Sequence, residues 1–135
     1  MWMLIAATFV AGTLASFTDW LFMGVLFHGR YMRFPEVWRD GVRGGKETGA
    51  IIWSSVLGYI TAGAVVALCA MFGANDLPPA LTIAVLAWAA GPLTVTVTNA
   101  LFIKFDPMVT AAHAMGYLVR FVLAGIAAAL VLPAA

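Results

Sequence analysis

Charged side chains are scarce in this sequence, and their scarcity excludes most soluble functions. Only 10% of the 135 residues are charged and 64% are hydrophobic, whereas an ordinary globular domain is about a quarter charged and about half apolar. A soluble protein of this length could not bury so much apolar surface in one core. The net charge is +1 without a basic run, so the clustered lysines and arginines that bind nucleic acid are also missing. We therefore expect a lipid bilayer to surround the chain.

Cysteines and metal-binding patterns are also lacking. Cys69 is the single cysteine, so no disulfide can form within the chain, and we expect it to act as a small buried hydrophobe. No cysteines and histidines have metal-ligand spacing. His28 and His113 would differ in depth by about 8 Å at the rise of a helix, whereas two axial ligands of a haem should lie near one level. The sequence thus predicts no metal and no cofactor.

Long apolar runs, by contrast, are abundant. A run of about 20 apolar residues crosses a bilayer as a helix. No basic residue precedes the first run, so we interpret it as a retained span and not as a removed signal peptide. The dipeptide Gly91-Pro92 predicts a kink or local break inside the third run. The four runs cover roughly residues 3–28, 49–73, 80–103 and 108–132, within a single transmembrane domain over residues 1–135.

The positions of the basic residues predict how the spans are oriented. Under the positive-inside rule, connections rich in lysine and arginine are cytoplasmic. The first connection (residues 29–48) and the third contain six of the basic residues, so both termini are expected on the non-cytoplasmic side. The short connections favour an antiparallel up-down bundle of four transmembrane helices, an all-α integral membrane fold. The residues behind this orientation are Arg30, Arg33, Arg39, Arg43, Lys46 and Lys104.

Aromatic and basic side chains alternate in the first connection. Such side chains hold a membrane protein at the headgroup level, and Pro35 could begin a short helix lying along the surface. We interpret the segment as an interfacial anchor, with a docking site for a partner as the alternative. The predicted anchor residues are Arg30, Tyr31, Arg33, Trp38 and Arg39.

Two charged residues lie inside predicted spans, Asp19 in the first and Arg120 in the fourth. At 1.5 Å per residue their depths are roughly 14 Å and 18 Å, within reach of an arginine side chain. A lone charge in hydrocarbon costs several kcal/mol, and an arginine can bind a carboxylate through two parallel hydrogen bonds. We therefore predict a contact between these two residues.

Other polar residues are expected at a similar depth. His113, Tyr117 and Arg120 follow one helical stripe, and we expect His113 to hydrogen-bond Asn99 or a serine. Two interpretations stay open: a hydrogen-bond network that fixes the helix register, or a small pocket where a solute, ion or proton interacts. The residues predicted for the network or pocket are His113, Tyr117, Asn99, Ser54, Ser55 and Tyr59.

Several motifs resemble a family of small four-span bacterial membrane proteins, catalogued as domain of unknown function 1761. The first span ends in "DWLFMGVLFHGRY", the second begins with "GGKETGAIIWSSVLGYITA", and "AWAAGPLTVTVTNALF" precedes "AAHAMGYLV" in the fourth. That family typically has a histidine directly after the last-span tyrosine, whereas Leu118 follows Tyr117 here. The resemblance implies the four-span architecture and a bacterial inner membrane, and it implies no mechanism.

Three functional hypotheses follow. The leading one is a non-enzymatic membrane protein that self-associates or serves as an accessory subunit of a membrane complex, with the bilayer and another membrane protein as its partners. The second is a carrier or channel for a small solute or ion that uses Asp19 and Arg120. The third is a membrane enzyme or cofactor protein acting on a lipid or quinone. No nucleophile and base can be recognised around Ser54 or Ser55, so we expect no enzyme.

Overall fold

Four long helices dominate the fold. The structure is a computed structural model that describes residues 1–38, 40–43 and 45–132, and every regular element in these ranges is helical. The four helices are long and apolar enough to cross a membrane, and their ends lie within about three residues of the bounds predicted from apolar run length. In chain order the spans are Trp2–Leu26, Thr48–Met71, Leu77–Phe102 and Pro107–Val131.

The first connection contains short helices between its turns. Pro35 begins a single turn of 3-10 helix, as expected from its fixed φ and missing N–H. Trp38 Nε1 donates a 2.7 Å hydrogen bond to the carbonyl of Tyr31, which folds the connection back on itself. The short helices are His28–Tyr31, Pro35–Val37 and Asp40–Arg43.

The fourth span is the centre of the bundle. It packs against each of the other three spans, and the first span also packs against the second. Small side chains make these close approaches possible. A Cβ added at Gly125 would lie 3.0 Å from the carbonyl oxygen of Ala80 and 3.2 Å from the Cβ of Ala84, so the third and fourth spans nearly touch at their backbones. The buried core is accordingly rich in alanine and valine.

Two spans change from α-helix to π-helix along their length. In the third span the π-helical segment Ala89–Leu93 contains Pro92, so the predicted local irregularity is present as a wider turn and the helix continues to Phe102. The wider turn accommodates a proline that lacks an N–H and crowds the preceding turn. The first span is α-helical over Trp2–Asp19 and π-helical over Trp20–Leu26. No proline marks this second segment, and the sequence analysis does not predict it.

Asp106 joins the start of the fourth span to the first connection. Its carboxylate accepts a 2.9 Å hydrogen bond from the backbone N–H of Met108, as an N-cap should. It also accepts a 2.8 Å hydrogen bond from Arg33, and Arg30 lies 3.7 Å away. The hydrogen bond from Arg33, followed by that from Met108, lowers the pKa of Asp106 below its usual value. The same aspartate therefore caps one span and holds the connection that follows another.

Candidate functional site

The two charged residues inside the spans contact each other. Arg120 Nη2 donates a hydrogen bond to Asp19 Oδ2, which joins the first and fourth spans. The Arg120 side chain is 6% exposed and that of Asp19 is 13% exposed. Charges buried to this degree need a partner, and the pair supplies it. Asp19 is also the last α-helical residue before the π-helical segment, a kind of irregularity that often occurs at functional sites.

The neighbours of Arg120 leave room for its guanidinium. Gly58 lies beside it: a Cβ added there would be 3.7 Å from Arg120 Cζ and 3.8 Å from Ser16 Oγ. The ring of Tyr117 lies 5.2 Å from the guanidinium carbon, within the range of a cation–π contact. Arg120 Nε is buried without a hydrogen-bond partner among the described residues. The guanidinium is therefore enclosed on several sides and held by one carboxylate.

A crevice of about 380 Å³ opens beside Asp19. It lies between the first and second spans, at the ends that face the first connection. Further along these spans the gap closes, because Gly12 meets the ring of Tyr59. A volume of this size falls in the range of small-molecule sites. The wall is formed by Ser16, Asp19, Trp20, Met23, Gly24, His28, Tyr31, Met32, Trp38, Val42, Glu47, Ala50, Ile51, Ser54, Ser55 and His113.

Aromatic rings form the side of the crevice next to the connection. The ring of Tyr31 lies 5.8 Å from that of Trp38 and 5.2 Å, edge to face, from that of His113. Tyr31 is 9% exposed, and its hydroxyl is buried without a hydrogen-bond partner in the part of the chain that is described. Burial, with a smaller effect of Tyr117, raises the pKa of the Tyr31 phenol. The hydroxyl therefore stays protonated at neutral pH and is available to donate a hydrogen bond.

Two predicted network residues, Asn99 and Tyr59, lie outside the crevice wall. Asn99 is exposed on the third span and does not line the crevice. Tyr59 makes a 2.9 Å hydrogen bond with the hydroxyl of Thr13, beyond the closed end of the crevice. His113 contacts the rings of Tyr31 and Tyr117 and makes no hydrogen bond to Asn99 or a serine in the described ranges. His113 therefore lines the crevice through ring contacts and not through the expected hydrogen bond, whereas Asn99 and Tyr59 lie outside the wall. Matching depth does not establish which face of a helix turns inward.

The serines show no arrangement for nucleophilic catalysis. Ser54 and Ser55 line the crevice as expected. The Ser55 hydroxyl donates a 3.0 Å hydrogen bond to the carbonyl of Ile51, a common way for a helix serine to satisfy itself. Over the described residues neither serine hydrogen-bonds a histidine, so the pairing that activates a nucleophile is absent from this geometry.

The residues predicted as an interfacial anchor divide into two groups. The side chains of Arg30 and Arg33 are 55% and 58% exposed, so they are free to reach lipid headgroups while holding Asp106. Tyr31 and Trp38 turn inward and form part of the crevice, and their position at the headgroup level stays a prediction. Folding of the connection buries the Tyr31 ring against His113 and places the Trp38 ring next to that of Tyr31. Arg39 lies outside the described residues.

Four wall residues that matter to the crevice are not among the site residues predicted from the sequence. Trp20 and Gly24 belong to the π-helical segment. A π-helix rotates by a different angle per residue, so α-helical spacing does not identify the residues that share a face there. The proximity of Trp20 and Gly24 to Asp19 in sequence is the signal that could have indicated them. His28 and Glu47 lie just outside the spans, where no periodicity points to a pocket.

The chain was also compared with known proteins. No family model, curated protein or solved structure matches it.

Proposed function

We propose that this chain is a membrane protein that binds a small, largely apolar solute in the crevice beside Asp19, as a carrier does, without transforming it chemically. The observation that carries the proposal is a cavity of about 380 Å³ with the carboxylate of a buried ion pair in its wall. Intramembrane charges are costly, and a pair used only for stability has no need of an opening beside it. Here the carboxylate lines a space large enough for a solute.

The proposed setting is a bacterial inner membrane, with an antiparallel bundle and both termini on the non-cytoplasmic side. The distribution of basic residues supports the sidedness. The contacts of Asp106 with Arg30 and Arg33 support the antiparallel arrangement, because they hold the start of the fourth span near the end of the first. The motifs quoted above support the further proposal that the chain belongs with the four-span family of unknown function.

Cysteine labelling tests the proposed crevice. In a Cys69→Ala background, we expect a Ser54→Cys thiol to react with a water-soluble maleimide and an Ile52→Cys thiol to stay unreactive. Ser54 lines the crevice, whereas Ile52 is on the same helix, 58% exposed on the outer surface where lipid is expected. Thiolates form poorly in hydrocarbon, so the lipid-facing position is the matched control.

A bound solute should protect the thiol inside the crevice. Triphenylphosphine oxide, a neutral aryl probe, is expected to slow labelling of Ser54→Cys at least about threefold, since it occupies the space that the maleimide must enter. Equal labelling of the two positions, or labelling of Ser54→Cys that no concentration of the probe slows, would contradict a solute-binding crevice.

A second candidate function, self-association or attachment to another membrane protein, is favoured by one observation. Asn99 and Thr98 are both exposed on the third span, which is the least buried of the four. An amide facing lipid lacks hydrogen-bond partners, and a second helix would supply them. We expect the native mass of nanodisc-embedded protein to exceed one chain, and Asn99→Leu to lower it. A strict monomer with and without the substitution would argue against this function.

A further inference from the structure

We infer that the solute taken up by the crevice is an amphipathic organic cation, an aromatic or aliphatic body that carries one ammonium-type or phosphonium-type charge. The inference rests on the proposed function and adds the chemical class of the ligand. Charge, aromatic surface and an unpartnered hydroxyl in the wall all point to this class.

The charges of the wall favour a cation. Asp19 and Glu47 contribute two carboxylates, and no lysine or arginine belongs to the wall as far as the chain is described. Arg120 contacts Asp19 without lining the crevice. It therefore neutralises the Asp19 carboxylate without adding a positive charge to the wall. A cleft with low-dielectric walls concentrates the field of its charges, so the one excess negative charge among the described wall residues favours positive ligands.

The second oxygen of Asp19 is open to a ligand. Arg120 engages Oδ2, while Oδ1 makes no hydrogen bond within the described ranges. A carboxylate accepts several hydrogen bonds at once, so a cation can share Asp19 with Arg120 without displacing it. Binding then adds a hydrogen bond to the carboxylate oxygen that Arg120 does not engage.

Aromatic rings provide the surface on which such a cation rests. Trp20, Trp38 and Tyr31 line the crevice together with His28 and His113. Tryptophan and tyrosine faces attract cations, and clusters of them are the usual site for quaternary ammonium groups. Met23, Met32 and Ile51 supply apolar wall for the body of the ligand. A hydrated metal ion fits this wall poorly because it prefers oxygen ligands on several sides.

Tyr31 adds an independent sign that the wall meets a ligand. It is 9% exposed, and its hydroxyl is buried without a partner in the described part of the chain. An unsatisfied buried hydroxyl is costly and calls for an explanation. The hydroxyl is enclosed, so a ligand acceptor such as an ether or carbonyl oxygen would satisfy it only after the aromatic wall shifts on binding.

Three aryl probes of similar shape test the charge preference. Tetraphenylphosphonium, triphenylphosphine oxide and tetraphenylborate are positive, neutral and negative, and their binding to the full chain in nanodiscs is measured by equilibrium dialysis. Binding to the crevice is defined as the part lost in Ala50→Phe/Ser54→Phe, which fills it from the second span. The matched control is Ile52→Phe/Val56→Phe, with the same spacing on an exposed face that does not line the crevice.

We expect crevice binding of the cation to exceed that of the anion by about tenfold or more, the ratio that 1.4 kcal/mol of charge preference gives. Glu47→Gln, at the mouth and outside the ion pair, should lower the affinity for the cation by about threefold and leave that for the neutral probe unchanged. Glu47 lies outside the spans, so this substitution does not threaten the fold.

The outcomes distinguish a failure of the cation inference from a failure of the proposed function. If the three probes bind the crevice equally, or the anion binds best, the cation inference is overturned and the binding site stands. If no probe shows binding that the filled variant loses and the control retains, the crevice is not a site for aryl solutes of any charge, and the proposed function falls with the inference.

Discussion

Removing one member of the Asp19–Arg120 pair should harm the protein more than removing both. In Asp19→Ala, the Arg120 side chain, 6% exposed, stays buried without its carboxylate, and in Arg120→Met the carboxylate loses the one cation that contacts it among the described residues. Stranding a buried charge costs about 3 kcal/mol or more. The double variant buries no charge, so we expect a loss of about 2 kcal/mol, from packing and the cation–π contact alone.

The interaction between the two residues can be worked out from their contact. Two unit charges about 4 Å apart attract each other by about 4 kcal/mol at an effective dielectric constant of 20. We therefore expect a coupling energy of about 4 kcal/mol from the double-mutant cycle. The exposed pair Lys104–Glu36, separated by 3.2 Å with side chains 66% and 55% exposed, is the matched control. Its expected coupling is below about 1 kcal/mol because solvent screens it.

The assay is reversible unfolding in mixed micelles of increasing dodecyl sulfate content, followed by tryptophan fluorescence. Trp20 follows Asp19 directly and is 57% exposed, so its emission reports on the region of the pair. Free-energy losses that simply add in the double variant would refute the reasoning, because additivity would mean that neither charge depends on the other.

Three further substitutions have expected outcomes. Gly125→Ala should destabilise the bundle by about 1–3 kcal/mol in the same unfolding assay, because the added Cβ would lie 3.0 Å from the carbonyl oxygen of Ala80. Gly116→Ala is the control and should be neutral, because a Cβ added there has nothing within 4 Å. The lowered pKa of Asp106 contributes stability that is fully present above the pKa of the group in the unfolded chain, about 3.9. This stability is lost as the pH falls through the pKa of Asp106 in the folded protein. Asp106→Asn should therefore remove this part of the acid sensitivity, measured as the unfolding midpoint against pH. Tyr31→Phe should raise the stability of the empty protein by up to about 1 kcal/mol, since it deletes an unsatisfied buried hydroxyl, and should weaken ligand binding; a stability loss would contradict this.

The four membrane-crossing helices could be predicted from the sequence because a bilayer imposes a length and a composition on each one. The contact of Asp19 with Arg120 could be predicted for a related reason. Each is a charge in a span, and the cost of leaving it alone in hydrocarbon exceeds any plausible gain from another arrangement. Predictions of this kind depend on charge and on depth in the membrane, and both follow from the identity and position of a residue along its span.

Only part of the crevice wall could be predicted, because the wall depends on how helices face each other. Asn99 lies at a suitable depth and is nevertheless exposed, while Trp38, assigned to the interface, folds inward through a hydrogen bond to the carbonyl of Tyr31. The π-helical segment Trp20–Leu26 changes which residues face the bundle. Lipid tails are as apolar as a leucine side chain, so apolar periodicity alone defines weakly which side of a membrane helix faces its neighbours.

Two of the three buried polar groups without partners in the described ranges lie in or beside the crevice, and the third, Thr110 Oγ1, lies outside its wall. Tyr31 Oη and Arg120 Nε are both buried and unpartnered over the described residues; Tyr31 lines the crevice, and Arg120 holds the carboxylate that does. Packing for stability alone would favour satisfied groups, and departures from that rule concentrate where a protein binds or reacts. A bundle with two such departures around one opening gives up stability in its empty state. A ligand that satisfies the hydroxyl and the free carboxylate oxygen recovers part of it, and that recovered free energy then contributes to affinity.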